Sequence, residues 1–171
     1  MNSEELFKSR IFSVQRLSYE ATNGEPLTKD VVRHPGSVAI VPVLEDGRLC
    51  LIKNHRVTVA DTLIEIPAGT MEPPEPPLDC AYRELIEETG YRAGAMKPIS
   101  RFLPAPGILD EEMHLFVATD LVAGDPAREV NEQIENHIVT LDEALRLMSV
   151  GEIRDAKTML GILLYRNMEE T

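Results

Sequence analysis

Apolar residues change their spacing several times along the chain, and each change marks a predicted element. From 78 to 89 they recur at helical spacing, with Leu78, Ala81, Tyr82, Leu85 and Ile86 making one face of a helix. Gly90 follows, the residue type that commonly closes a helix in the left-handed conformation. Ahead of this helix the pattern is strand-like. Residues 1–8 read as a loose end; 11–19 alternate imperfectly, and 27–33 resume after the turn signal Asn23-Gly24, which predicts a hairpin. After a break at His34-Pro35-Gly36, residues 37–44 form a continuous apolar run whose Pro42 suits an edge or a bulge. Asp46-Gly47 predicts a hairpin turn with 48–56 as the return strand, and 62–66 is a further strand ending in the loop Pro67-Ala68-Gly69. Four prolines around Glu75 (Pro73, Pro74, Pro76, Pro77) predict a stiff extended segment.

Downstream, strands are expected over 97–103, 113–120 and 138–139, with polar residues 124–135 as a surface loop. Thr140 and Glu143 have capping-box spacing and open a helix to about 149; Asp155 opens the last one, with Ala156, Met159, Leu160, Leu163 and Leu164 as its expected buried stripe. Strands interleaved with three helices, without repeat or linker, predict an α/β sandwich with a mixed sheet between helices. The organisation expected is a small N-terminal hairpin element, 1–33, followed by one domain, 34–171.

The composition narrows what such a domain does. With 43% hydrophobic and 27% charged residues in 171, the chain can bury a core, and with 5% aromatics and no Trp that core is aliphatic. A net charge of −12 without a basic stripe argues against nucleic acid as a partner. It also means that an anionic substrate is repelled unless cations or local arginines invert the field. Cys50 and Cys80 have no metal-ligand spacing and read as buried free thiols in a reducing compartment. No apolar run reaches membrane-spanning length and the start of the chain is acidic and polar, so no membrane association and a cytoplasmic location are expected.

Glu84 and Glu88, four apart on the predicted helix, stack one above the other, with Glu87 beside them. Such like-charge pairs cost about 0.2–0.5 kcal/mol on an open helix. A hard divalent cation removes that cost, since Mg²⁺ takes carboxylate oxygens and completes its shell with water and substrate phosphates. The run from Gly69 through Glu75 to Arg83-Glu84-Leu85-Ile86-Glu87-Glu88-Thr89-Gly90 resembles the Nudix box at every defined position. His34 to Pro42, Glu65 to Gly69, and Pro104-Ala105-Pro106-Gly107 with Glu111 extend the likeness to the ADP-ribose pyrophosphatase branch of Nudix hydrolases, over about residues 30–165.

That resemblance implies a Nudix-type α/β/α sandwich and hydrolysis of the diphosphate of ADP-ribose to AMP and ribose 5-phosphate. It implies Mg²⁺, with Mn²⁺ as the alternative, held by Glu84, Glu87, Glu88 and the Ala68 carbonyl. Gly69 lets the backbone approach the metal, and Arg83 is expected to face away from the Glu84–Glu88 line and to hold Glu75 or Glu87 in place. The branch draws its general base from a glutamate before the final helices, which leaves Glu129, Glu132 and Glu135; Glu129 is favoured, then Glu132, with Glu87 in the box itself as a further candidate. Arg56, Pro106 and Glu111 are the substrate-side candidates; Glu112 stands where close relatives carry Arg. The resemblance also implies a homodimer in which the N-terminal strands exchange and help build the wall for the base. Two other readings stay open: a Nudix enzyme for another ADP- or GDP-linked sugar, and a non-catalytic nucleotide-sensing module. The intact box and the lack of a basic appendage argue against the second.

Overall fold

A computed structural model describes residues 2–127 and 133–170. The carboxylate helix, α1 (Pro77–Thr89), lies against a four-stranded sheet in the order β7 (Ala68–Thr70), β4 (Ser37–Pro42), β9 (Met113–Val122), β8 (Arg92–Phe102). This sheet is mixed: β4 runs parallel to β9, whereas β7 and β8 are antiparallel to their neighbours. Its centre, β4, is buried along its whole length. Alternate residues therefore serve two cores, as period-2 geometry demands of a strand covered on both faces. Val38 and Ile40 pack with Cys80, Ala81 and Leu85 of α1. Ala39 and Val41 pack on the other side with α2 (Leu141–Ser149) and α3 (Ala156–Glu169). The α/β/α sandwich expected from the sequence is thus present.

A second sheet, antiparallel, has the order β10 (Ile134–Val139), β5 (Leu49–Arg56), β6 (Asp61–Glu65). The Asp46-Gly47 turn forms, with Gly47 at φ 80°, but β5 is no return strand on β4. A single bridge, Val43 to Leu49, joins them before β5 turns to its own partners. Pro42 is the last residue of β4 and pairs there with β9 alone, because β7 flanks only Ser37, Val38 and Ala39, so it sits at a local edge.

The N-terminal element is a three-stranded antiparallel sheet, β1 (Asn2–Lys8), β2 (Ser13–Glu20), β3 (Pro26–Arg33), rather than a hairpin behind a loose end. Its first strand is exposed throughout, because each residue of 2–8 finds only β2 beside it. Two helical stripes are also displaced from expectation. Leu78 is exposed on α1, where Glu84 and Glu88 occupy the buried side with Ala81 and Leu85. On α3 the buried face is Thr158, Gly161, Ile162 and Tyr165, whereas Ala156 and Leu163 are exposed. Among the described residues no helix is long and apolar enough to cross a membrane.

Candidate active site

The loop before α1 and the strand beside it bring the acidic residues together. Pro77 opens α1, where the missing N–H costs nothing, and Gly90 closes it at φ 80°, donating to the Ile86 carbonyl. The α1 face so defined looks onto β7, a three-residue strand where the sequence pattern suggests only a loop. Glu88 is almost fully buried and accepts from the Ala68 N–H at 2.9 Å. Glu84 lies flat against Gly69: a methyl group built there would stand 1.9 Å from Glu84 Cδ. Glu87 is the most open of the three.

Arg83 binds this group together. Its Nε and Nη2 donate to the two oxygens of Glu75, each at 2.9 Å. Its Nη1 donates to Glu84 at 2.7 Å and to Glu87 at 3.0 Å, and Nη2 reaches the Thr70 carbonyl at 3.4 Å. Arg83 thus holds both residues named for it, and it does not face away from the Glu84–Glu88 line. The hydrogen bonds from Arg83 lower the Glu75 carboxyl to about 2, and the same carboxylate raises the Arg83 guanidinium. Burial pushes the neighbouring Cys80 thiol up to about 12, so it stays protonated at neutral pH and is a poor nucleophile. Cys50 is likewise buried and forms no disulfide.

Glu84, Glu87, Glu88 and the Ala68 carbonyl offer oxygen atoms alone, the donor chemistry that a hard divalent cation takes. The space at Gly69, which a side chain would fill, is what admits the Glu84 carboxylate to it. Among the described residues no three acidic, His or Cys side chains are already gathered as a metal cage. Glu84 and Glu87 lean on Arg83, and Glu88 on the Ala68 N–H.

These residues line a cleft of about 630 Å³, within the range that holds a nucleotide-sized ligand. Arg56 stands in its wall, with Nε and Nη2 engaged at 2.8 and 2.7 Å by the oxygens of Glu65, a buried carboxylate. Arg10 and Ile11, from the β1–β2 turn, also reach the cleft, although nothing in the local sequence points there. Glu65 carries a signal in the sequence, a carboxylate between the apolar residues Leu63-Ile64 and Ile66. Pro106 lies off this cleft, in a separate groove with Lys29, Val31 and Arg33. Glu111 accepts from Ser37 Oγ at 2.5 Å beside His34. Glu112 sits near Arg101 and His114. Glu129 and Glu132 lie outside the described residues; Glu135 is on β10, opposite Lys53.

The family model for the NUDIX domain matches residues 33–159. An ADP-ribose pyrophosphatase of Bacillus subtilis (strain 168) is 37% identical, over 93% of this chain and 87% of that protein. A methanol dehydrogenase activator of Bacillus methanolicus is 34% identical, over 99% of this chain and 92% of that protein. A solved structure described as an ADP compounds hydrolase superimposes with a TM-score of 0.87 at 24% identity, over 99% of this chain and 92% of that one.

Proposed function

Because this chain belongs to the NUDIX family, we propose that it hydrolyses the diphosphate of a nucleoside diphosphate sugar, with ADP-ribose as substrate and AMP and ribose 5-phosphate as products. The observation that carries the reading is one cleft lined by three α1 carboxylates, two of them against β7, and, besides the Arg83 that holds them, by the guanidinium groups of Arg56 and Arg10. In a chain of net charge −12 those arginines supply positive charge that a diphosphate needs at the cleft. The 37% identical ADP-ribose pyrophosphatase supports the choice of sugar nucleotide.

Glu84, Glu87, Glu88 and the Ala68 carbonyl would hold Mg²⁺, or Mn²⁺ in its place, and the bound cation supplies neutralisation of phosphate charge. The chain's own residues do the rest. Arg83 keeps Glu84 and Glu87 extended toward the cleft. Gly69 leaves room for Glu84. A glutamate takes the proton of the attacking water. Glu129 is favoured for that role, then Glu132. In support, the described residues on either side are tied to the cleft's own elements: Ala127 N–H donates to the Glu87 carbonyl at 3.2 Å, and the Gln133 carbonyl accepts from His55 N–H, next to Arg56.

The active species is proposed to be a homodimer built through residues 1–33. The N-terminal sheet leaves Leu6, Phe7, Phe12 and Leu27 exposed, and a second copy would cover them while its N-terminal strands add to the base wall beside this chain's own Arg10 and Ile11. The test of function is a substrate panel with product phosphate released by an added phosphatase. ADP-ribose should give the highest kcat/KM; a clear preference for a GDP-linked sugar would transfer the reading to that substrate, and no turnover of any would remove it.

A further inference from the structure

Behind Arg56 lies a group of charges, centred on a buried carboxylate, that the chemistry above does not use. Glu65 is 1% exposed. It accepts two hydrogen bonds from Arg56 and a third from Lys157 Nζ, which arrives from the first turn of α3. Lys157 also donates to Asp155 Oδ2 at 2.9 Å. Asp155 in turn caps α3, accepting from Thr158 N–H at 3.0 Å and from Thr158 Oγ1 at 2.5 Å. Thr158 Oγ1 accepts from Ile66 N–H at 2.9 Å, on the residue next to Glu65. Two cations and two anions therefore alternate in one row around the buried Glu65, and the row ends at the half-exposed arginine that lines the cleft. Burial raises the Glu65 carboxyl, but Arg56 and Lys157 outweigh it and leave it below the ordinary range.

A buried carboxylate must be paired, and Glu65 is paired from two sides, by Arg56 and by Lys157. With Lys157 and the α3 cap fixed to the core, Glu65 cannot follow Arg56 outward. Arg56 spends Nε and one Nη2 hydrogen on Glu65, and its other edge keeps the remaining donors of the guanidinium. We propose that Lys157 is a positioning residue for substrate: by clamping Glu65 from behind, it fixes the plane of the Arg56 guanidinium so that the outer edge meets the substrate diphosphate. This rests on the diphosphate reading above.

The test separates the two. Side-chain ¹H–¹⁵N spectra of the full chain, with Arg56→Lys to assign the signal, report whether the Arg56 guanidinium is held. KM and kcat are measured on the best substrate of the panel. In Lys157→Met the Arg56 signal should broaden or exchange faster, and KM should rise about 10- to 100-fold, as when partners of an active group are removed. Its kcat should change little, because the lost contact binds ground and transition states alike. Lys157→Arg should restore both. If Lys157→Met does not fold, Asp155→Asn with Lys157→Met keeps the row charge-balanced and retains a helix cap, and it should show the same pattern. A sharp, unchanged Arg56 signal with wild-type KM, in either variant, would overturn the inference even if the melting temperature fell. If the wild type turns over no nucleotide sugar, the functional reading fails and the Arg56 signal alone decides the role of Lys157.

Discussion

A single added methyl group at Gly69 probes the site more sharply than removal of a glutamate. In Gly69→Ala the new carbon would lie 1.9 Å from Glu84 Cδ and 2.0 and 2.3 Å from its oxygens. Ordinary contact begins near 3.4 Å, so the carboxylate must withdraw by about 1.5 Å. Residue 69 is not in the left-handed region, so alanine strains no backbone angle there. The obstructed atoms end a flexible side chain, so the fold yields at that point and stability should fall by no more than about 1 kcal/mol. Misplacing a catalytic group by over 1 Å costs about 100-fold, which corresponds to about 2.7 kcal/mol of transition-state stabilisation. Steady-state hydrolysis of ADP-ribose across an Mg²⁺ titration, alongside thermal melting, is the assay. The expected result is kcat/KM about 100-fold lower with a near-native melting temperature. Wild-type turnover with unaltered Mg²⁺ dependence would refute the requirement for Glu84 against residue 69. So would a melting shift large enough to account for the lost activity.

Four further outcomes are expected. Glu88→Gln keeps an acceptor for the Ala68 N–H but removes a charge, so turnover should fall far more than thermal stability; a near-normal rate at saturating Mg²⁺ would take Glu88 out of the ligand set. Of Glu129→Gln and Glu132→Gln, one should lose about two to four orders of magnitude in kcat and the other little; if neither does, Glu87 becomes the residue to test. Because Arg83 depresses Glu75 to about 2 from an ordinary 4.5, Glu75 stabilises the fold above the ordinary value, and that contribution disappears as pH falls through about 2. Melting curves of wild type and Glu75→Gln should therefore differ at neutral pH and converge in acid, whereas a constant gap would mean that the ion pair is not responsible. Light scattering should give a dimer mass for the full chain, and removal of residues 1–33 should give a monomer or an insoluble product with poor substrate binding; a fully active monomer would end the shared-site proposal.

Much of this was readable in the sequence because the relevant signals are local. The caps Thr140 and Asp155 each accept from the N–H three residues on, as their spacing indicates. Gly90 ends α1 where the periodicity stops. Reading α1 by hydrophobic pattern puts Leu78 inside and the glutamates beside the apolar face. In the molecule Leu78 is exposed and Glu84 and Glu88 are buried, against the rule that charges face water. Strand partners were harder. The turn at Asp46-Gly47 was legible, but β5 leaves β4 for β6 and for β10, which lies far along the chain. β7 has three residues, one of them glycine, and only its pairing with β4 makes it a strand. The union of Lys157 with Glu65 spans 92 positions, a separation across which no spacing rule operates.

Arg83 serves Glu75, Glu84, Glu87 and the Thr70 carbonyl with one guanidinium. The glutamates it holds are therefore not independent characters in descent. Loss of any one redistributes donors among the others, so the fitness effect of a second substitution depends on which came first. Pairs drawn from Glu75, Glu84 and Glu87 should show strong epistasis in an arginine background and little once residue 83 is neutral. Lineages that leave this chemistry would then be expected to change residue 83 early, after which the acidic positions are free to drift.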